Sequence, residues 1–258
     1  GGRGPGYGGV HCHETVNGHG TVDLHRALTV SCNSYFAWLG EQYDAATLQE
    51  MAHQFGFGEP TGVRAFADGT RSGLVEDSVP GLFRDRVLQG RSLCEAGNGL
   101  SVVEATPMQV ARATAGLATG VLPELRLVSR IGERELPHES RAIDVSPRAL
   151  QLVREAMEAV AADPRGSARA SLSPEELGFA MAVKTGSADV TSTAVEDNRV
   201  LKHTWVAGWF PAQDPVGILV VFEYRTTQTS SHTAAWLARQ FLDRPAVRAW
   251  LAERTAGR

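Results

Sequence analysis

Lysine is almost missing from this chain: Lys184 and Lys202 are the only two among 25 lysine and arginine residues. The positive charge is therefore nearly all arginine, as a GC-rich coding sequence produces. A net charge of −4 gives no basis for a nucleic-acid or other polyanionic partner. Cysteine is scarce too, and Cys12, Cys32 and Cys94 show no Cys-x-x-Cys spacing, so neither a zinc ribbon nor a thioredoxin-like motif is indicated. His11, His13, His19 and His25 crowd an irregular glycine-rich stretch without His-Glu-x-x-His spacing. They read as structural or surface histidines, and neither a metal nor a cofactor is expected. No apolar run is long enough to span a bilayer, no signal peptide is seen, and the chain opens at Gly1 without methionine. The expectation is that further sequence precedes it.

What is present is an ordinary globular composition, 43% hydrophobic and 21% charged over 258 residues. That is enough to bury a full core, and residues 1–258 read as one large domain. A helix is expected from near Thr21, with Leu24, Ala27 and Leu28 on one face. A break at Ser31–Ser34 leads to a second helical stretch, Tyr35 to Leu39. Asp44 caps a third helix, with Leu48, Met51, Ala52 and Phe55 as its apolar face and Gly56 and Gly58 at its end. Glu59 to Leu100 has weak patterning and reads as loops and short elements. Thr106-Pro107-Met108-Gln109 combines a Thr cap, a first-turn proline and a capping-box Gln, starting a helix that should stop at Gly120. Ser146-Pro147 repeats the device, with Leu150, Val153, Met157 and Val160 facing inward. Phe179–Lys184, Thr204–Phe210 and Val216–Tyr224 read as strands. The last is so continuously apolar that it reads as the central one. A final helical region runs from Ser231 to Ala256. Helices, then an antiparallel meander, then a helix make an α+β layered domain.

Two short motifs carry chemistry. Ser31-Cys32-Asn33 sits at the break between two helices, and Lys184-Thr185-Gly186-Ser187 at the end of a strand. Each alone is weak, since Ser and Asn cap helices and Lys-Thr-Gly makes an ordinary turn. Their order, separation and flanks are more specific. Gly18-His19-Gly20-Thr21-Val22-Asp23-Leu24 precedes Ser31-Cys32-Asn33-Ser34-Tyr35-Phe36. Phe55-Gly56-Phe57-Gly58, Thr61-Gly62, Gly97-Asn98-Gly99, Thr106-Pro107-Met108-Gln109 and Trp205 to Pro211 follow. This succession resembles the class B penicillin-binding proteins over almost the whole chain; S-x-N and K-T-G belong to that family's known signature.

The resemblance implies the penicillin-binding protein/serine β-lactamase-like fold and a D,D-transpeptidase. In that family a serine attacks the penultimate D-alanine of a peptidoglycan stem peptide, and a neighbouring stem's amine takes the acyl group. β-Lactams acylate the same serine. Ser31 would relay protons, Asn33 would hold the substrate amide, and Lys184 would supply positive potential beside Ser31. Thr185 and Ser187 would bind the substrate carboxylate, and Gly186 would let the strand edge approach the peptide closely. A backbone N–H at Ser187 offers an oxyanion donor, and an exposed strand edge suits an extended peptide. The implied partners are stem peptides ending in D-Ala-D-Ala, β-lactams and cell-wall synthesis proteins. The implied location is the periplasmic face of the inner membrane, through an anchor outside this sequence. The Cys12 and Cys94 region resembles elongation-type members. Cys12 and Cys32 are candidates for a disulfide in an oxidising compartment, with a buried thiol at Cys32 as the alternative.

One family element is missing. The nucleophile's Ser-x-x-Lys motif cannot be built on either lysine, because Met181 stands three residues before Lys184 and Arg199 three before Lys202. The expectation is that nucleophile, first strands and anchor belong to upstream sequence, and that this chain alone is inactive, exposes apolar surface and is poorly soluble. A minor departure is Ser187-Ala188-Asp189, where relatives carry Thr, a small residue and Gln. Two other readings stand beside the transpeptidase. One is a catalytically dead module that binds peptidoglycan or a partner, the other a serine β-lactamase or β-lactam sensor.

Overall fold

The computed structural model describes residues 6–12, 18–59, 61, 88–101, 103–190, 195–196, 199–227 and 233–256. His13, Gly62 and most of the weakly patterned stretch after Glu59 lie outside them. The chain divides into two compact units, residues 1–21 with 33–150 and residues 22–32 with 151–258. In chain order it begins with β1 (Gly6–Tyr7), β2 (Val10–His11), α1 (Leu24–Thr29), α2 (Asn33–Glu41) and α3 (Ala45–Gln54). Next come α4 (Arg91–Gly97), α5 (Pro107–Thr119), β3 (Val121–Pro123), β4 (Arg130–Ile131), β5 (Arg134–Glu135) and β6 (Ser140–Ala142). After α6 (Pro147–Ala162), α7 (Arg169–Leu172) and α8 (Pro174–Leu177) follow β7 (Ala182–Asp189), β8 (Val195–Glu196) and β9 (Arg199–Val200). The chain closes with β10 (Lys202–Phe210), β11 (Gly217–Thr226), α9 (Ala234–Leu242) and α10 (Pro245–Thr255).

At α3 and α5 local signals and helix boundaries agree, whereas α2 opens at Asn33, inside the expected break, and α4 forms where the sequence shows no helix pattern. Thr106 and Gln109 form the reciprocal capping box, Pro107 opens α5, and Gly120 closes it in the left-handed region at φ 82°. Gln109 is fully buried because its side chain serves twice: Oε1 accepts from the Thr106 N–H, and Nε2 donates to the Glu59 carbonyl at 3.0 Å. Asp44 caps α3 by accepting from the Thr47 N–H. The apolar face expected of α3 does not reach a core, since none of its residues is buried and Met51 is 43% exposed. Periodicity reports which side is apolar; whether anything packs there is a tertiary matter.

α2 and α4 cross with their backbones touching. A Cβ on Gly40 would lie 2.4 Å from the Leu93 carbonyl, and one on Gly97 would lie 2.3 Å from that of Phe36. Only glycine allows so close an approach. Val10, Ala37 and Cys94 fill the small core beside the crossing.

The second unit is built on an antiparallel sheet of order β11-β10-β7 among the described residues. β10 is thus the inner strand, which corrects the expectation that the apolar run of β11 marks the centre. Among the described residues β11 pairs with β10 alone, and its outer end carries Phe222 and Tyr224, the latter 68% exposed. One face of the sheet, with Val183, Val206 and Phe210, packs with Ala234, Ala238 and Leu242 of α9 and with Leu172 and Leu177. Thr204 is buried on that face, its hydroxyl donating to Glu223 and accepting from the Ala234 N–H. On the other face Trp205 stacks on Phe222 with ring centroids 4.2 Å apart, and His203 stacks on Tyr224.

Two more boundaries move. β7 was expected to end at Lys184 but starts at Ala182 and runs to Asp189, paired throughout with β10. Its polar second half lacks an apolar pattern because it lies along the sheet edge. The single closing helix is two, since Pro245 has no N–H to continue α9; Arg244 turns extended and α10 starts afresh at Pro245. Asp243 secures the corner by accepting from Arg239 and Arg248, and both guanidiniums hold its carboxyl below the usual range. Each of the three cysteines is buried as a thiol, so the candidate disulfide is not formed.

The glycine crossing yields a direct expectation. Gly97→Ala should lower stability by about 1–3 kcal/mol, as overpacking does. An unchanged urea midpoint would show that α2 and α4 do not meet backbone to backbone.

Candidate active site

α1 ends in the hydrogen-bond pattern of a Schellman motif. The Cys32 N–H donates to the Ala27 carbonyl at 2.8 Å, and the Ser31 N–H to Leu28 at 3.2 Å. The position that glycine usually fills in this motif is held by Ser31, at φ 54°. A side chain in the left-handed region costs about 1 kcal/mol or more, so the fold tolerates strain here in exchange for a hydroxyl.

That hydroxyl meets Lys184. Nζ donates to Ser31 Oγ at 2.7 Å and to the Thr185 carbonyl at 2.6 Å. Lys184 is the third residue of β7 and pairs in register with Ala207, so its ammonium is projected from a fixed strand. Burial lowers its pKa to about 8, and no acidic neighbour among the described residues offsets that loss of solvation. Part of the side chain still reaches the surface. The ammonium is thus mostly charged at neutral pH and within reach of losing its proton. Because Nζ donates to Oγ, the hydroxyl proton of Ser31 is left to point at a third group.

Thr185 is also engaged: its Oγ1 lies 2.7 Å from Ser167 Oγ. Sequence reading missed Ser167, since a serine in an exposed loop carries no motif. Gly186 stands opposite Trp205 on β10, and a Cβ there would meet only the Trp205 Cβ at 3.5 Å. Ser187 is exposed. Asp189 pairs across the strands with Lys202 at 2.8 Å, so the second lysine is committed to an ion pair at the far end of β7.

Asn33 belongs to the other unit, at the start of α2. Its Nδ2 donates to the His11 carbonyl at 2.8 Å, and its own carbonyl accepts from Asn98 Nδ2 at 3.1 Å. Asn98 Nδ2 also reaches the Cys94 carbonyl, which ties Asn33 to the end of α4. Within the second unit, then, the fold brings Ser31, Lys184, Thr185 and Ser167 together at one end of the sheet. A cation of tunable charge beside two kinds of hydroxyl, next to a strand edge that no other described strand pairs with, can bind a carboxylate and pass protons.

Residues 3–243 match the family described as the penicillin binding protein transpeptidase domain. A curated relative, peptidoglycan D,D-transpeptidase MrdA of Acinetobacter baumannii, is 27% identical over 242 residues, covering 88% of this chain. The chain spans 35% of that relative's length. Among solved structures, Pseudomonas aeruginosa PBP2 in complex with WCK 5153 superposes with a TM-score of 0.67 at 26% identity, over 90% of this chain and 50% of that one. The Helicobacter pylori complex of PBP2 with MreC gives a TM-score of 0.71 at 21% identity, over 95% and 43%. That second likeness concerns the fold alone.

Two expectations follow from the site. Ser31→Gly and Ser31→Ala both remove the hydroxyl, but only glycine relieves the left-handed strain. The glycine variant should be more stable by about 1 kcal/mol, measured by denaturant unfolding; equal stabilities would remove the argument for strain. For Lys184 the folded pKa of about 8 lies below the ordinary 10.5, so between these values the unfolded chain holds more protons. Stability should therefore gain a component that rises with pH across that window, and Lys184→Met should abolish it. With only two lysines to resolve, acylation of Lys184 by a dilute amine-reactive activated ester should show a midpoint near pH 8.

Proposed function

The chain belongs to the penicillin-binding protein transpeptidase domain family, and from that premise we propose that it forms one catalytic domain, residues 1–258, of a peptidoglycan D,D-transpeptidase. The observation that carries the reading is the hydrogen bond from Lys184 Nζ to Ser31 Oγ, which joins the two short motifs across 153 residues. The name of the MrdA relative supports the substrate class.

The nucleophile comes from a Ser-x-x-Lys segment outside these 258 residues, since neither lysine here has a serine three positions before it. Its serine hydroxyl gives its proton to the lysine of that segment as the oxygen attacks the penultimate D-alanine carbonyl. The bond to the terminal D-alanine nitrogen then breaks, the leaving amine takes the proton of Ser31 Oγ, and Ser31 is reprotonated from that lysine. Lys184 fits Ser31 for that role by occupying a lone pair of Oγ and raising the acidity of its proton. An amine from a neighbouring stem then forms the new peptide bond and frees the serine. Thr185 and Ser187 receive the terminal carboxylate, where the Lys184 charge adds attraction. Asn33 receives the substrate's backbone amide. The open edge of β7 accepts the extended peptide, and Gly186 leaves room for its close approach.

β-Lactams acylate the same serine in this reading. The parent protein lies at the periplasmic face of the inner membrane, held by an anchor outside this sequence, and works with other cell-wall synthesis proteins. No helix among the described residues is long and apolar enough to cross a membrane.

The test is to extend the reading frame upstream and expose the full-length protein to fluorescent penicillin. Label that persists for hours on a serine outside Gly1–Arg258, with no label on this chain alone, is expected. Rapid release of hydrolysed drug would identify a β-lactamase, and no label on the full-length protein would leave a binding module. Lys184→Ala should slow acylation by about 10²-fold or more, the range of a proton-transfer group; unchanged acylation would remove Lys184 from the mechanism.

A further inference from the structure

The loop between α6 and α7 bonds to chain neighbours of both Ser31 and Lys184, Thr29 and Thr185, although it belongs to neither motif. Its course is closely determined. The Gly166 N–H donates to the Asp163 carbonyl at 2.8 Å, and the Ala168 N–H to the Val160 carbonyl at 3.0 Å. A Cβ on Gly166 would lie 2.3 Å from the Val160 carbonyl, so the loop is pressed against the last turn of α6. Asp163 accepts from the Arg165 N–H and pairs with Arg26 of α1 at 3.2 Å. This course presents Ser167 as an exposed residue, along with Pro164 and Arg165.

Ser167 makes two bonds in two directions. Its N–H donates to the Thr29 carbonyl at 3.2 Å, two residues before Ser31. Its hydroxyl lies 2.7 Å from Thr185 Oγ1, on the residue after Lys184. With the bond from Lys184 Nζ to Ser31 Oγ, these close a ring: Ser31, Lys184, Thr185, Ser167, Thr29 and back along the chain to Ser31.

We propose that Ser167 is a positioning residue for the carboxylate-binding hydroxyl of Thr185, an inference that rests on the function proposed above. Two hydroxyls at 2.7 Å share one proton donation. If Ser167 donates to Thr185, the Thr185 proton is free for an incoming carboxylate oxygen, and accepting one bond strengthens the one it gives. A carboxylate selects this polarity because it can only accept. Without the Ser167 hydroxyl, the Thr185 rotor loses its internal partner and must be ordered when the ligand binds. The Ser167 backbone, tied to α1, keeps that hydroxyl in register with Ser31.

The test uses the full-length transpeptidase and a β-lactam paired with its own methyl ester, which removes the carboxylate and little else. Ser167→Ala should lower the ratio of acylation rates, acid over ester, by roughly fivefold, the scale of one lost neutral hydrogen bond. Ser167→Thr should restore it. Ser167→Val has the shape of Thr without the hydroxyl and should behave like Ser167→Ala, so this pair decides the matter even where alanine impairs folding. Acid and ester rates that fall together would assign Ser167 a structural role and overturn the proposal, as would an unchanged ratio. A wild-type protein that penicillin fails to label would instead defeat the transpeptidase reading, and this inference with it.

Discussion

A charged amine buried beside a hydroxyl, with no carboxylate among the described residues to balance it, is the constraint around which the second unit is organised. Burial lowers the Lys184 pKa to about 8, so the fold bears a cost at neutral pH that only rigid surroundings sustain. β7 must hold the lysine at a fixed height, which it does by pairing with β10 from Ala182 to Asp189. α1 must end where Ser31 Oγ can accept from it, and it ends there by placing serine at a left-handed position better suited to glycine. Strain and desolvation are thus met at the same hydrogen bond. This concentration of cost is more characteristic of sites that do chemistry than of sites that only pack.

The rest of the unit supports that bond through backbone more than through side chains. The loop after α6 is drawn against its helix by Gly166 and reaches Thr29 and Thr185 together. α9 covers one face of the sheet, and Thr204 ties its first turn to β10 and β11 through a buried hydroxyl. In the first unit, the backbone crossing at Gly40 and Gly97 places Asn98, which in turn fastens the first residue of α2, Asn33. Each of these candidate site residues is therefore seated by an interaction that forms without any ligand, which is what preorganisation requires.

Much of this was legible in the residues themselves, wherever the determining chemistry is local. Asp44, Thr106 with Gln109, and Ser146-Pro147 each announce a helix start through side chains that reach only three positions along the chain. The structure starts helices there. The two motifs were legible in the same way, and so was the family, since a succession of short motifs in fixed order survives at 27% identity where little else does. The expectations that moved were those that depended on distant partners. Among the described residues β11 is apolar without being central, and β7 is long because β10 continues beside it.

The sequence by itself determined the starts of α3, α5 and α6, the order of the three long strands after them, and the presence of the Ser31-Cys32-Asn33 and Lys184-Thr185-Gly186 motifs, because these follow from short-range stereochemistry and from motif order. Only the tertiary structure decided that Lys184 reaches Ser31 across 153 residues, that its proton is held loosely, and that Ser167 stands beside Thr185. Burial and long-range contact set these properties. Both are made by residues far apart in the chain, and no local pattern records them.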